Sequence, residues 1–272
     1  MANTIEEAFF QNYMRFFRLA EERRRWSIWR DIPWDHANPD TAPLISDIVE
    51  AFSAVEIFLP DYTSKILHLI RKSRGRAWFQ ANWGYEESKH SLTLAEWLVR
   101  SGKRTEEGMH AYENALLDNG EWDLPFDTPR QMVIYTMIQE LATWLNYTNL
   151  RALVNKDGPE GDPALSRALL LISADEKTHY DFFRKGVKVY LEHEPAETLA
   201  DLKYVLDNFA MPAHNLIPGW DERAKQIQAA GIYGPRQFLR SVYRPILKDL
   251  GISEKGFRAQ DSGFSSEPNT ES

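Results

Sequence analysis

The chain has 272 residues, 43% of them hydrophobic and 12% aromatic, which is enough apolar material for one sizeable core. It contains no cysteine, which excludes disulfides, thiolate zinc sites and iron–sulfur clusters held by this chain. The formal net charge of −8 argues against nucleic acid as a general partner, because phosphate binding needs a basic surface.

Apolar residues recur at helical spacing along almost the whole chain, and no convincing strand alternation appears, so we predict an all-α fold. The pattern places long helices through 4–29, 41–72, 76–101, 128–155 and 162–193, and shorter ones through 196–210, 221–231 and 234–250. Thr128 and Asp162, each followed by proline, are typical of helix starts. Pro60 interrupts the second helix, where we expect a kink.

Helices of this length predict a bundle in which each helix spans the domain. We expect a single domain over residues 1–255 and a disordered tail over 256–272, which is polar and rich in serine. The first residues lack the pattern of a signal peptide, and no apolar run is long enough to cross a bilayer. We therefore expect a cytoplasmic protein with no membrane span.

Two predicted helices each carry a glutamate and a histidine three residues apart. The first pair, in "YEESKHS", is Glu87 and His90, and the second, in "ADEKTHYDFF", is Glu176 and His179. Residues at this spacing lie on one helical face. A single pair of this kind is most simply interpreted as part of a solvent-exposed helix face. Its repetition on a second helix favours a site to which both pairs contribute.

Two further glutamates lie on apolar helical faces. Glu140 has Met137, Trp144 and Tyr147 at helical spacing, and Glu56 lies in "IVEAFSAVEIFLPDY". An unpaired carboxylate on such a face would be costly, so both predict a partner in the core.

The order Glu, Glu-x-x-His, Glu, Glu-x-x-His is the ligand set of ferritin-like bundles that hold two metals. Four carboxylates balance two divalent cations, and each imidazole adds a nitrogen that suits iron. The sequence alone does not separate iron from manganese. The simpler interpretation, that all six are ordinary polar residues, is disfavoured because buried charges are rare without a partner or a metal. The remaining histidines lack ligand spacing and are interpreted as structural or exposed: His36, His68, His110, His193 and His214.

Five blocks of the chain resemble the soluble acyl-[acyl-carrier-protein] desaturases, the stearoyl-carrier-protein type and its bacterial relatives, over about residues 40 to 245. The blocks are "VEIFLPDY", "NWGYEESKHS", "YTMIQELATW", "ISADEKTHYDFF" and "FAMPAHNLIPG". The resemblance implies a ferritin-like bundle with a central four-helix core, flanking helices and two irons. It implies an enzyme of fatty acid biosynthesis that uses dioxygen to introduce a double bond into a carrier-bound acyl chain. The implied metal ligands are Glu56, Glu87, His90, Glu140, Glu176 and His179.

The resemblance also implies roles beyond the ligands. Thr143 matches a threonine near the oxygen-binding side that could relay protons, although a threonine inside a helix can equally bond a preceding carbonyl. Asp175 matches a carboxylate that orients a ligating imidazole. Thr178 departs from the family's basic residue at that position. The expected absence of a plastid-type transit segment favours a bacterial enzyme.

Electrons must come from outside, because the chain has no cysteine for an iron–sulfur centre and no convincing dinucleotide fingerprint. By resemblance the donor is a ferredoxin, the substrate carrier is acyl carrier protein and the enzyme is a homodimer. Two basic runs are candidate landing sites for the acidic carrier, and each could instead be an ordinary solvated face. They comprise Arg23, Arg24 and Arg25, and Arg71, Lys72, Arg74 and Arg76.

Two other functions remain open. A related diiron oxidase could hydroxylate a different substrate on the same scaffold, and an iron-storage protein could use the same ligands without catalysis. For the desaturase, an apolar channel must hold the chain at a fixed depth beside the metals. We predict Trp83, Met137 and Trp144 as channel walls, with ordinary core packing as the alternative.

Overall fold

The computed structural model describes residues 4–158 and 160–259, and within them the regular secondary structure is entirely helical, as predicted. The α-helices are α1 Ile5–Leu19, α2 Pro43–Glu56, α3 Leu59–Leu69, α4 Arg74–Arg100, α5 Glu106–Asp118, α6 Pro129–Val154, α7 Pro163–His193, α8 Pro195–Asp207, α9 Trp220–Ala229, α10 Pro235–Phe238, α11 Arg244–Leu250 and α12 Glu254–Ala259. A π-helical turn, Ala20–Arg24, extends α1, and another, Leu239–Tyr243, joins α10 to α11.

Four long helices, α2, α4, α6 and α7, form the central bundle. The most extensive contact is between α6 and α7, while α2 packs on α4 and α1 lies across α4 and α7. The predicted caps are present: Thr128 accepts a hydrogen bond from the backbone of Gln131 at 3.2 Å, and Asp162 accepts one from Leu165 at 2.8 Å. Helix α4 ends before Gly102, whose φ of 70° is the left-handed conformation that glycine adopts easily.

The predicted second helix is two helices. Helix α2 ends at Glu56 and α3 begins at Leu59, because Pro60 has no N–H to bond the Glu56 carbonyl and its ring would clash with it. The Tyr62 hydroxyl donates to the Val55 carbonyl at 2.6 Å and satisfies one of the carbonyls freed at the break. The break therefore places Glu56 in the last turn of α2.

Helix α5 was not predicted, although Thr105 caps it through a hydrogen bond from the Gly108 backbone at 3.0 Å. The segment expected to be disordered begins inside α12, and residues 260–272 lie outside the described residues. The single domain over 1–255 stays a prediction. In the part of the chain that the structure describes, no helix is both long and apolar enough to cross a membrane.

Helices α1 and α4 approach each other closely at Gly75. A Cβ atom on Gly75 would lie 2.5 Å from the backbone nitrogen of Phe10, so a larger residue would push the helices apart. The π-helical turn that follows α1 carries Arg24, which contacts Glu86 on α4 and Asp175 on α7.

The core consists of two apolar clusters separated by a band of charged residues. On α4, Trp83 belongs to one cluster and Leu94 and Trp97 belong to the other. Between them the same helix carries Glu87 and His90, both buried. Burying charges in this band is costly unless they are paired or bind a metal, so the band marks the candidate site.

Candidate metal centre

The structure brings together all six residues predicted as metal ligands. They form two groups whose ligand atoms lie within 4.8 Å of one another, and Glu87 and Glu176 belong to both. The first group is Glu56, Glu87, His90 and Glu176, and the second is Glu87, Glu140, Glu176 and His179. Helices α2, α4, α6 and α7 each contribute, because the repeated spacings place the residues at the same level of the bundle.

Both imidazoles present Nδ1 to the centre. The Nδ1 atom of His90 lies 3.0 Å from an oxygen of Glu87 and 3.2 Å from one of Glu176. The Nδ1 atom of His179 lies 3.0 Å from the other Glu87 oxygen and 3.4 Å from Glu140. Each histidine therefore adjoins one oxygen of the same carboxylate, so Glu87 would be available to a metal in either group.

The two glutamates that belong to one group only are each held by an aromatic donor. The Tyr147 hydroxyl donates to Glu56 at 2.7 Å, and the Trp83 indole N–H donates to Glu140 at 2.7 Å. Each bond uses one carboxylate oxygen and fixes the direction of the other. Tyr147 and Trp83 were seen in the sequence only as apolar neighbours, because their polar ends show no spacing of their own.

Two outer carboxylates face the far nitrogens of the histidines, and Glu86 forms a hydrogen bond there. Glu86 lies 2.8 Å from Nε2 of His179, and Asp175 lies 3.5 Å from Nε2 of His90. Such partners fix the orientation of a ligating imidazole. The position of Asp175 fits the predicted role. Glu86 was missed, although the doubled glutamate of "YEESKH" was a signal for it.

Arg24 connects the two outer carboxylates. Its guanidinium lies 2.7 Å from Asp175 through one nitrogen and 3.2 Å from Glu86 through another. Arg25 adds a second contact to Glu86 at 2.9 Å, and the Trp26 indole donates to Asp175 at 2.7 Å. These residues come from the segment after α1, so no helical periodicity could have linked them to the site.

This pairing corrects the docking patch predicted at Arg23, Arg24 and Arg25, because only Arg23 is exposed. The second predicted patch is less affected, because Arg71, Lys72 and Arg74 are exposed. Arg76 is partly buried and bonds Glu6 and the Tyr190 hydroxyl, while the Arg74 guanidinium stacks on Phe10.

The charges of the cluster interact strongly. Burial, together with the charge of Glu87, raises the pKa of Glu56 to about 8, and burial also raises that of Glu176. Burial opposes ionisation of Glu87 too, but the adjacent His90 and His179 lower its pKa to about 2. The surrounding carboxylates in turn raise the pKa values of both histidines, against the effect of burial. Without a metal, protons must therefore supply the positive charge of this cluster.

Several inward-facing atoms make no well-directed hydrogen bond within the described residues, although some of them lie close to one another. They are Oε1 of Glu87, Oε2 of Glu140, both carboxylate oxygens of Glu176 and Nδ1 of His179. Unpaired buried polar atoms are costly, and here they converge on common points. Oxygen and imidazole donors of this number and arrangement fit two iron ions, so the residues present match a diiron site.

Beside Glu56 lies an apolar cavity of about 480 Å³ between the bundle and the segment after α8. From the bundle, Phe52, Val55, Glu56, Thr143 and Tyr147 line it. From the later segment, Phe209, Met211, Trp220 and Phe238 line it. This volume lies within the usual range for sites that bind small organic ligands, roughly 300–1,000 Å³.

The three residues predicted as channel walls, Trp83, Met137 and Trp144, lie outside the lining of this cavity. Met137 is fully buried in the core, and Trp83 bonds Glu140. Thr143 does line it, and its hydroxyl donates to the Gln139 carbonyl at 2.8 Å. That bond is the alternative recognised from the sequence, and it places a polar group beside the cavity.

Comparison with known proteins assigns the family. The family model described as "Fatty acid desaturase" matches residues 44–264. The chain belongs to the fatty acid desaturase family. This range includes all six predicted ligands, and among the described residues no other group of histidines and carboxylates has metal-site geometry. The other five histidines contribute to neither group.

Two relatives illustrate the sequence similarity within this desaturase family. The chain is 26% identical over 233 residues to DesA1 of Mycobacterium tuberculosis, which is named as an acyl-[acyl-carrier-protein] desaturase; the match covers 82% of this chain and 66% of DesA1. It is 28% identical over 268 residues to the chloroplastic stearoyl-[acyl-carrier-protein] 9-desaturase 2 of Arabidopsis thaliana, covering 91% of this chain and 61% of the relative. The chain thus spans less than two thirds of the length of these relatives.

Solved structures show the same fold. The acyl-ACP desaturase DesA2 of Mycobacterium tuberculosis H37Rv superposes with a TM-score of 0.69 at 17% identity, covering 95% of this chain and 99% of DesA2. An R2-like ligand-binding oxidase with a reconstituted Mn/Fe cofactor superposes with a TM-score of 0.57 at 16% identity, covering 90% of this chain and 94% of the oxidase. These matches confirm the ferritin-like helical bundle.

Proposed function

We propose that the protein is a diiron, dioxygen-dependent desaturase that introduces a cis double bond into a fatty acyl chain bound to acyl carrier protein. The observation that carries this proposal is the position of the six-residue cluster beside the apolar cavity. Glu56 belongs to one metal-site group and also lines the cavity, so an acyl chain bound there would lie beside the metals. Family membership and the names of the relatives support the same reaction.

The proposed ligands are Glu56, Glu87, His90, Glu140, Glu176 and His179. When bound, two irons supply the electron-pair chemistry with dioxygen that attack on an unactivated methylene requires. Glu87 and Glu176 would be shared between the metals, and each remaining glutamate and histidine would bind one of them. Tyr147 and Trp83 fix the two unshared carboxylates, which keeps the site arranged when it is empty of substrate.

The cavity and two nearby residues would complete the reaction. Its apolar walls exclude water and hold the chain, since a methylene offers no polar group for recognition. The Thr143 hydroxyl, which lines the cavity, would pass protons at Oγ1. Asp175 would act through His90, by holding its far nitrogen.

The reaction removes two hydrogens from the chain and reduces dioxygen to two waters, which requires two further electrons and two protons. The chain has no cysteine to hold an iron–sulfur centre, so a separate donor of the ferredoxin type would supply the electrons. A cytoplasmic location, where an acyl carrier is available, belongs to the same proposal.

A homodimer is also proposed. Helix α4 exposes Trp78, Tyr85 and Leu92, three large apolar residues spaced seven apart and 50, 53 and 59% exposed. Residues at this spacing lie along one face, and exposed apolar faces of this kind typically pack against another subunit.

Product analysis tests the proposal. The iron-loaded protein is incubated with stearoyl-loaded acyl carrier protein, dioxygen, ferredoxin and a ferredoxin reductase, and the released acyl chains are examined by mass spectrometry. A desaturase yields chains that have lost two hydrogens. A hydroxylase of the same scaffold would yield chains that have gained one oxygen, and unchanged chains would reject both. Sustained turnover without the external donor would contradict the proposed electron supply.

A further inference from the structure

The helical run Pro235–Leu250 combines the wall of the cavity with a row of exposed cations. It consists of α10, the π-helical turn and α11. Its inner side carries Phe238, which lines the cavity, and Val242 and Ile246, which are fully buried. Its outer side is basic. The exposed cations are Arg236, Arg240, Arg244 and Lys248.

The local helix geometry keeps these four side chains together. They are spaced four residues apart, slightly more than one turn of an α-helix. The π-helical turn Leu239–Tyr243 is wider than an α-helical turn, so it offsets the drift that this spacing would otherwise produce. The four positions are all exposed as a result.

The row is little neutralised by neighbouring acids. Arg244 lies 3.5 Å from Glu254, in a pair that is largely exposed. Within the described residues, Arg236, Arg240 and Lys248 have no ion pair within 4.0 Å. Asp249, the acidic residue of the run, accepts a hydrogen bond from the Tyr180 hydroxyl at 2.8 Å. In a chain of net charge −8, this row is a local positive surface.

The cations lie next to the place where the cavity reaches the surface. Three residues that line the cavity, Ala210, Gln228 and Pro235, are exposed and mark its rim. Arg236 directly follows Pro235 in the chain. A partner held by the basic row would therefore have its cargo beside the opening.

We propose that Arg236, Arg240, Arg244 and Lys248 form the docking surface for the acidic acyl carrier protein. The inference rests on the proposed desaturase function and names the surface that serves the same cavity. Opposite charges on the two surfaces steer the partner and orient it, which matters here because the rest of the enzyme is acidic. We favour this surface over the exposed cations Arg71, Lys72 and Arg74 of the second predicted patch, because it adjoins the opening of the cavity.

The test compares two double charge reversals. Arg236→Glu with Arg240→Glu changes the proposed surface, and Arg15→Glu with Arg18→Glu changes exposed cations on α1, which lies against α4 and α7. Binding of labelled carrier protein, with and without a stearoyl chain, is measured by fluorescence anisotropy at low and high salt. Iron content and circular dichroism establish that each variant is folded.

If the proposed surface is correct, Arg236→Glu with Arg240→Glu should raise Kd by roughly tenfold or more at low salt, for the carrier with a stearoyl chain and for the carrier without one. KM should rise with kcat unchanged, and the dependence of Kd on salt should become weaker. The matching lysine variants keep the charge and should bind like the wild type. The α1 variant should also bind normally.

An unchanged Kd in Arg236→Glu with Arg240→Glu, or an equal loss in the α1 variant, would overturn the docking surface. If the run instead binds vesicles of phosphatidylglycerol while carrier affinity is insensitive to its charge, the surface belongs to a membrane and the proposal is wrong. If the wild-type enzyme desaturates carrier-bound chains but the charge-reversal variants bind carrier normally, the docking surface is wrong and the desaturase function stands. If the wild-type protein binds no carrier, the carrier-bound substrate is wrong as well.

Discussion

The two halves of the metal centre contain the same ligand types in different surroundings. The cavity half comprises Glu56, His90, Tyr147 and Asp175, and the sealed half comprises Glu140, His179, Trp83 and Glu86. Each half has one unshared glutamate held by an aromatic donor and one histidine whose far nitrogen faces an outer carboxylate. Only Glu56 and Tyr147, however, line the cavity.

The sealed half faces a different environment. Phe79 packs edge-on to the His179 ring at 6.4 Å and stacks on Phe182, and Glu140 is fully buried. Because the proposed ligands match, ligand chemistry alone would not make two bound metals different. The difference in access would, and we infer that substrate is positioned beside the cavity half.

The largest effect is expected from removing a shared ligand. Glu176→Ala removes a carboxylate that belongs to both groups, whereas Glu56→Ala removes one that belongs to the cavity half alone. Purified wild-type protein should hold about two irons per chain, as expected of a dimetal carboxylate bundle. Elemental analysis should find close to no iron in Glu176→Ala and about one iron in Glu56→Ala. Equal loss in the two variants would mean that the halves are not separable.

A smaller effect is expected when both outer carboxylates lose their common partner. Arg24→Gln leaves Glu86 and Asp175 without the guanidinium that joins them, so both histidines lose support. Iron affinity should fall by roughly 10–100-fold, as is typical when an outer partner of a ligand is removed. Arg25→Gln is the matched control, since Arg25 contacts Glu86 and not Asp175.

Iron titration of Arg24→Gln and Arg25→Gln, followed by circular dichroism, measures the difference in iron affinity between the two variants. Arg24→Lys keeps the positive charge, but lysine lacks the planar guanidinium whose two nitrogens reach both carboxylates. The iron affinity of this variant should therefore stay below that of the wild type. An Arg24→Gln variant that binds both irons normally would show that the histidines are oriented without Arg24.

The sequence predicted the six residues that the structure brings together, as well as Asp175, but missed most of what surrounds them, for a physical reason. Glutamate and histidine three apart on a helix must share a face, so local spacing placed Glu87 with His90 and Glu176 with His179. The contribution of Arg24 depends on how α1 crosses α4, which no spacing within one helix records. For Met137 and Trp144 the reason is similar, because α6 is buried around most of its surface and its apolar pattern does not show which side faces a cavity.

The cavity wall offers a test confined to the substrate. Phe209 lines the cavity and stacks on Phe238 with ring centroids 5.5 Å apart, so Phe209→Ala should enlarge it. We expect a shift in preferred chain length or in double-bond position, with iron content unchanged. Met137→Ala is the control: it should cost about 2–5 kcal/mol of stability, as buried truncations do, without moving the product pattern.

Mass spectrometry of products from carrier-bound chains of graded length measures this shift. A changed product pattern in Met137→Ala, with none in Phe209→Ala, would restore the channel predicted from the sequence and contradict the cavity described above.

The smallest effect concerns a buried carboxylate that is neutralised without a metal. Glu50 on α2 is paired with Arg104 and with Arg223, the latter at 2.8 Å. Burial opposes its ionisation, but these two arginines lower its pKa below the ordinary value of 4.5. The stabilisation is therefore complete above about pH 4.5 and is lost as pH falls through the folded-state pKa.

Urea unfolding of wild-type protein and Arg223→Gln at pH 7 and at lower pH measures this contribution. The variant should be less stable at pH 7, and the difference should shrink as the solution is acidified. A difference that is constant with pH would mean that Arg223 stabilises the fold through packing rather than through the charge of Glu50.

The asymmetry between the two halves is tested most directly by Mössbauer spectroscopy of the two-iron protein with and without stearoyl-loaded carrier protein. The account predicts that substrate changes the quadrupole splitting of one iron and leaves the other unchanged. In Glu56→Ala, the remaining iron in the sealed half should not respond to substrate. Equal changes at both irons of the wild type, or a response that persists in Glu56→Ala, would contradict the assignment of the cavity half as the side where the substrate binds.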